Sequence, residues 1–398
     1  MRKLSFLLLL AIVALSSSAG AQTGNQLDQL ADKIVNTVLQ AKANQLIVIN
    51  ADPSNMSLVE ALNTSLREVG AFAIVDMGSN REATLYFQRV SSRFDSQPPK
   101  DFLTLARIAD AIVNIQFPAD PSAVKGVPAA RLNETGRAFN AYTDYILKRS
   151  IPTISVGNGL MPSAATAKSF GATEEQLSTI FWRGLDTNYS TLHRDGVAMF
   201  GAVTRAHSVH VTSPGGTNFT FRALATAGLI NDGVISTADR TKGGPAVQKQ
   251  LPAGDVYFVP VPGTASGTIA YGPLQFNGVD VSGMKVTFKN GAITSMHATT
   301  GGSEVAKFYA SSGTGRNQFG WIDFGVNRAM SLPPARWAYG PSMAAGYITA
   351  GLGNNLAFGG TNRSAFGFAS NIPSGTVTVD GKTVIASGKL GSFAVASR

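Results

Sequence analysis

The sequence predicts an α/β N-terminal domain with a doubly wound parallel sheet, followed by a β-rich α+β C-terminal domain. Three observations lead there. Helical and strand signals alternate over roughly the first 200 residues, as a parallel sheet with crossover helices requires. After about residue 205 the pattern becomes short β-branched and aromatic runs separated by Gly, Pro and Asn, in a chain with 42 glycines. Charged residues make up only 14% of the 398 residues, against about 25% in an average domain, which excludes a coiled coil and a charge-rich disordered chain.

At the N-terminus, Arg2 and Lys3 precede the apolar run Leu4 to Leu15, and Ala19-Gly20-Ala21 supplies a small-x-small site. This reads as a secretory signal peptide over residues 1–21, so the protein is expected to be exported, periplasmic or secreted. The run is too short to span a bilayer, which takes about 20 apolar residues, and no later segment reaches that length.

Leu27 to Ala41 carries apolar residues at helical spacing, and Gln45 to Asn50 reads as a short buried strand. Ser57 to Val69 reads as a helix capped by Ser57, with Glu60 three residues on. Ala71 to Asp76, Ala111 to Phe117 and Thr153 to Val156 continue the strands; Phe102 to Ala109, Arg137 to Lys148 and Glu174 to Leu192 continue the helices. Beyond them come strand signals at His207 to Thr212, Asn218 to Phe221, Asp255 to Val261, Gly267 to Tyr271 and Lys285 to Phe288. Asn290-Gly291 and Asp380-Gly381 carry the two-residue hairpin signature. The division is therefore a signal peptide (1–21), an α/β domain (22–200) and a β-rich domain (201–398).

The net charge of +9 is uneven. Residues 1–200 hold 18 Lys+Arg and 17 Asp+Glu, while residues 201–398 hold 15 and 7. The basicity comes from a shortage of carboxylates. No Lys/Arg cluster with interleaved aromatics occurs, so nucleic acid is not an expected partner. With 0 Cys in the chain, disulfides, thiolate nucleophiles and Cys-ligated zinc are impossible. No G-x-S-x-G or H-E-x-x-H motif is present.

Three blocks point to a family. Thr212-Ser-Pro-Gly-Gly-Thr-Asn-Phe-Thr-Phe221, Leu251-Pro-Ala-Gly-Asp-Val256 with Gly263-Thr-Ala-Ser-Gly267, and Phe358-Gly-Gly-Thr-Asn-Arg-Ser364 together resemble the M29 metallo-aminopeptidases, over nearly all of the mature chain. Gly171 to Leu177 resembles the segment joining that family's two domains. The resemblance implies a peptidase site with two divalent cations such as zinc or cobalt, and homodimers around the cleft.

The ligand positions that the resemblance implies fall on Asp255, Trp321, Thr349, Gly367 and Ala369. Only Asp255 keeps a carboxylate. Indole is a donor, Thr a weak neutral oxygen, and Gly and Ala offer nothing. From Thr314 to Arg398 there is no His or Glu, and the acids are Asp323 and Asp380. His193, His207, His210 and His297 do not pair at ligand spacing, and His207 and His210 fall on opposite faces of an expected strand. No metal cofactor is expected.

The expected function is thus an exported M29-like protein with a degenerate two-metal site, holding a peptide or small ligand in its cleft or serving as a structural subunit, with a homodimer implied by resemblance. The alternative is an active hydrolase with a re-sited metal or altered mechanism, drawing on Asp255, Asp323, His207, His210, Glu304 and Tyr347. N-terminal sequencing of the exported protein is expected to give Gln22 as the first residue, and a chain retaining Met1 would refute the signal peptide.

Overall fold

The computed structural model describes residues 24–118, 120, 122–330 and 342–391. The segment read as a signal peptide, and cleavage before Gln22, lie outside the described residues. Helix α1 covers 24–32 and runs on as a π turn, Lys33–Val38. There follow β1 (Leu46–Ala51), α2 (Met56–Glu68), β2 (Phe72–Met77), α3 (Asn80–Arg89), α4 (Lys100–Ile108), β3 (Ala111–Ile115), α5 (Ala129–Lys148), β4 (Thr153–Val156), α6 (Ala164–Ser169), α7 (Glu174–Leu185) and α8 (Tyr189–Thr204). The second half holds β5 (Val209–Thr212), β6 (Asn218–Phe221), β7 (Ala223–Asn231), α9 (Thr237–Lys242), β8 (Gln248–Leu251), β9 (Asp255–Pro260), β10 (Ser266–Ala270), β11 (Leu274–Phe276) and β12 (Val279–Val281). It ends with β13 (Lys285–Lys289), β14 (Ala292–His297), α10 (Gly302–Ser311), β15 (Phe319–Gly325), β16 (Ile348–Gly353), β17 (Gly367–Asn371), β18 (Thr376–Val379), β19 (Lys382–Ala386) and β20 (Lys389–Leu390).

The first sheet has the order β2-β1-β3-β4-β8 and is parallel throughout. Side chains alternate across a strand, and both faces are covered. Ile47 and Ile49 pack with Ile34 of α1 and with Leu58, Leu62 and Leu66 of α2. Val48 and Ile112 point the other way, into Ala106 of α4 and Tyr142 and Ile146 of α5. This is the doubly wound layer that the alternation predicted. Its last strand, β8, comes from beyond residue 201, out of the region read as the separate β-rich domain.

The rest forms two larger antiparallel sheets, β14-β13-β10-β6-β5-β18-β19-β20 and β17-β16-β15-β9-β7, with the small pair β11-β12. Asn290-Gly291 (φ 53° and 81°) and Asp380-Gly381 (φ 47° and 82°) turn the β13–β14 and β18–β19 hairpins as expected. Two positive φ values are what a type I′ turn demands.

Three local expectations are corrected. Ser57 lies inside α2, whose N-cap is Asn55. Pro53 starts a 3₁₀ turn just before it, and Asp52 accepts from Ser54 N there, so the helical path begins earlier. The helix expected over Glu174 to Leu192 is two helices: Thr173 and Gln176 form a capping box on α7, and Asn188 accepts from Thr191 N to start α8. Strand β5 begins at Val209, so His207 precedes it.

The Leu251-Pro-Ala-Gly-Asp255 block is where the chain leaves the parallel sheet at the end of β8 and enters the antiparallel one at the start of β9. Gly254 has φ +132°, and a Cβ there would stand 2.6 Å from Asn327 Cβ and 2.9 Å from Met343 O. Asn327 clamps the crossing: its Nδ2 donates to Ala253 O at 2.8 Å and to Gly184 O of α7 at 3.1 Å. Gly254 N donates to Asn231 O, and Val326 N to Gly254 O, each at 2.8 Å. Gly254→Ala is expected to lower stability by about 3 kcal/mol, read by urea unfolding, from backbone strain and the clash with Asn327.

Candidate functional site

The site grows from one face of the sheet β17-β16-β15-β9-β7. Register sets Tyr257 opposite Asp323, Asp323 opposite Thr349, and Thr349 opposite Asn371. Asp255 and Trp321 lie two residues from Tyr257 and Asp323 and share their face. The reverse face, with Val256, Phe258, Ile322, Phe324 and Ala350, is buried apolar core.

Asp255 and Asp323 are both fully buried, and their carboxyl groups lie within hydrogen-bonding reach of each other. Asp255 is the better solvated by protein. Its Oδ2 accepts from Asn231 Nδ2 at 2.9 Å and Asn158 Nδ2 at 3.0 Å, and its Oδ1 from Ser342 Oγ at 2.5 Å. Asp323 Oδ1 accepts from Val256 N at 3.0 Å, whereas Oδ2 is buried with no donor directed at it. Burial raises the Asp323 carboxyl well above the usual carboxylate range, and the charge of Asp255 raises it further. Burial raises Asp255 as well, against the three side-chain donors that favour its charged form. Two buried carboxylates this close do not both ionise. The proton belongs on Asp323, where it gives Oδ2 an O–H to donate, and the negative charge on Asp255.

Trp321 lies across Gly351: a Cβ on that glycine would come within 2.2 Å of Trp321 Cε2. Tyr257 and Phe358 stack with ring centroids 4.2 Å apart and planes 14° from parallel. Trp321 meets Phe358 at 5.1 Å and Tyr257 at 5.5 Å. The three rings wall a cavity of about 290 Å³ between this sheet and the loop after β4, where Asn158, Gly159 and Leu160 close it.

Of the positions matched to metal ligands, Trp321 and Thr349 line this cavity, while Gly367 and Ala369 line an adjoining groove of about 610 Å³. The acid beside Asp255 is Asp323, two residues along β15 from Trp321, a partnership that spacing alone did not reveal. Neither His207 nor His210 nor Glu304 nor Tyr347 lines the cavity. His207 Nδ1 is 3.5 Å from Asp380, His210 Nε2 is 2.8 Å from Asn218 Oδ1, and His193 Nδ1 is 2.7 Å from Asp232. The Asn158, Asn231 and Ser342 donors and the Gly351–Trp321 contact could not be anticipated from local sequence signals.

The donor set does not fit the two-cation centre that the resemblance implies. Asp255 was the one position expected to keep a usable ligand, yet both its oxygens already accept from neutral N–H and O–H groups. An amide nitrogen or an indole offers hydrogens, not lone pairs, to a cation. Among the described residues no group of three or more His, Cys, Asp or Glu could hold a metal ion.

A proton held on Asp323 in the native state alone makes folding bind protons. The stability that Asp323 contributes is then fully present below the usual carboxylate range and is lost as pH rises toward the raised native value. The decline is at most about 1.4 kcal/mol per pH unit for one group. Asp323→Asn, which keeps a donor toward Asp255 and cannot ionise, is expected to fold and to flatten that decline in urea melts between about pH 5 and about pH 8. A variant as pH-sensitive as the parent would place the proton elsewhere.

Comparison with known proteins agrees with this fold. The structure resembles wild-type AmpT from Thermus thermophilus, with a TM-score of 0.69 and 16% identity, covering 92% of this chain and 99% of that one. It also resembles 2,5-dihydroxypyridine dioxygenase from Pseudomonas putida KT2440, with a TM-score of 0.58 and 15% identity, over 93% and 98% of the two chains. At such identities the likeness speaks for the fold alone. No curated protein matches the sequence. The family model described as thermophilic metalloprotease (M29) matches residues 23–328, and the chain belongs to that family.

Proposed function

We propose that the protein is a non-hydrolytic M29 member, exported to the periplasm or secreted, that binds a small ligand or short peptide in the cavity between the β17-β16-β15-β9-β7 sheet and the loop after β4. One observation carries the reading: the Trp321 indole occupies a position matched to a metal ligand and lies flat on Gly351, which has no side chain to displace it. A carboxylate at 321 would leave that glycine uncovered and add a third buried acid beside Asp255 and Asp323. The neighbouring Tyr257 and Phe358 rings turn the region from a polar metal cage into an aromatic wall.

Chemistry at the remaining acids has little support. Peptide hydrolysis needs an activated water and a stabiliser for the developing oxyanion. Asp255 is occupied by three donors, and Asp323 acts as an acid toward Asp255 rather than as a base toward a substrate. The competing reading, a hydrolase with a re-sited metal, would draw on His207, His210 and Glu304, which stand apart from the cavity. A homodimer remains a proposal on family grounds.

The test is hydrolysis of leucine p-nitroanilide by the purified chain with added zinc or cobalt, with and without chelator, alongside elemental analysis after dialysis. The expected result is no chelator-sensitive release and no stoichiometric metal. Turnover abolished by chelator would favour the re-sited site.

A further inference from the structure

The cavity and its groove have a chemical character of their own. Among the described residues, no charged side chain lines the 290 Å³ cavity. The aromatic wall faces neutral amides and hydroxyls: Asn158, Gln250, Thr349 and Asn371. Both hydrogens of Asn158 Nδ2 are spent on Pro252 O and Asp255, which leaves its Oδ1 as an acceptor. Gln250 Oε1 accepts from Tyr257 Oη at 3.2 Å, which leaves its Nε2 as a donor. Thr349 is 8% exposed, and its buried Oγ1 has no partner among the described residues. Buried hydroxyls are normally bonded, so this one points to a ligand group.

Past Gly159 and Phe170, which border both spaces, lies the 610 Å³ groove. Its walls include Gln116, Gln275, Asn277 and Ser282, with Asp120 and Asp280 as its charged members. Asn277 Nδ2 there is a second buried donor without a partner among the described residues.

From this we infer that the joined cavity and groove bind an uncharged oligosaccharide, one sugar ring lying against Trp321 and further rings following the groove. The inference rests on the binding reading above and names its ligand. A sugar ring offers an apolar C–H face to an aromatic surface, and hydroxyls that both donate and accept, which suits a mixed set of amides and a hydroxyl. About 290 Å³ is near the small end of ligand sites and is the scale of one ring, not of a chain. A peptide held by its amino terminus would require a carboxylate at the inner end. The two acids there are fully buried and committed to each other.

The experiment is isothermal titration of the full mature chain with cellotetraose, chitotetraose, maltotetraose and xylotetraose, with trileucine as the peptide probe. At least one tetrasaccharide is expected to titrate saturably with a Kd below about 1 mM. Trp321→Ala is expected to weaken it by about tenfold or more. The near-isosteric Thr349→Val, checked for an unchanged melting temperature, is expected to weaken it several-fold and serves if the Trp321 variant does not fold. If no tetrasaccharide binds at about 10 mM while trileucine does, the sugar inference falls and the binding reading stands. If neither class binds, both fall. Sugar binding that neither substitution weakens would overturn this location.

Discussion

The rest of the molecule hangs on the crossing from β8 to β9. A single short segment, Pro252 to Gly254, ends a strand of the parallel sheet and begins a strand of the antiparallel one. Two residues that line the cavity are thereby placed, Gln250 just before the crossing and Tyr257 just after it, with the buried Asp255 between them. The crossing is tight enough that Gly254 has no room for a Cβ. It is held by Asn327, whose amide reaches both the crossing and the C-terminal end of α7. The carbonyls it satisfies are buried, and without a donor each would carry a desolvation penalty of about 1–3 kcal/mol. The helical layer, the crossing and β15 are therefore coupled through one side chain.

That coupling is a property of the backbone around Leu251 to Gly254 and of the groups packed on it. The Leu-Pro-Ala-Gly segment shapes the chain, and its shape does not depend on what the carboxylate after it binds. Asp255 keeps its place and its negative charge, but three neutral side chains and a protonated neighbour solvate it. Asn158 comes from the loop after β4, Asn231 from the end of β7, and Ser342 from the approach to β16. Each contributes a hydrogen where a cation would need an open lone pair.

Trp321 and Gly351 form a second coupled pair. The indole lies where a side chain at 351 would stand, so a large residue at one position requires none at the other. The ring then packs against Phe358, which the Phe358-Gly-Gly turn brings over Tyr257. Aromatic edges and faces in such contacts add about 0.5–1.5 kcal/mol beyond buried area. They also give the cavity an apolar wall of three rings.

The sequence by itself determined the parallel α/β sheet followed by a β-rich half, the hairpin turns and the family blocks. These are properties of residue type and local spacing. A period of two or 3.6, an Asn-Gly turn, or a family block such as Leu251-Pro-Ala-Gly254 is legible without knowing what lies across the fold. Helix starts were less legible where Pro53 and Asn188 reset the path within a few residues. Only the tertiary structure decided that β8 joins the parallel sheet, that Asp323 is the partner of Asp255, and that Trp321 rests on Gly351. Each depends on strand register between segments distant in the chain. A shift of one residue in that register would turn every side chain to the opposite face, and no local pattern records which register the packed core selects.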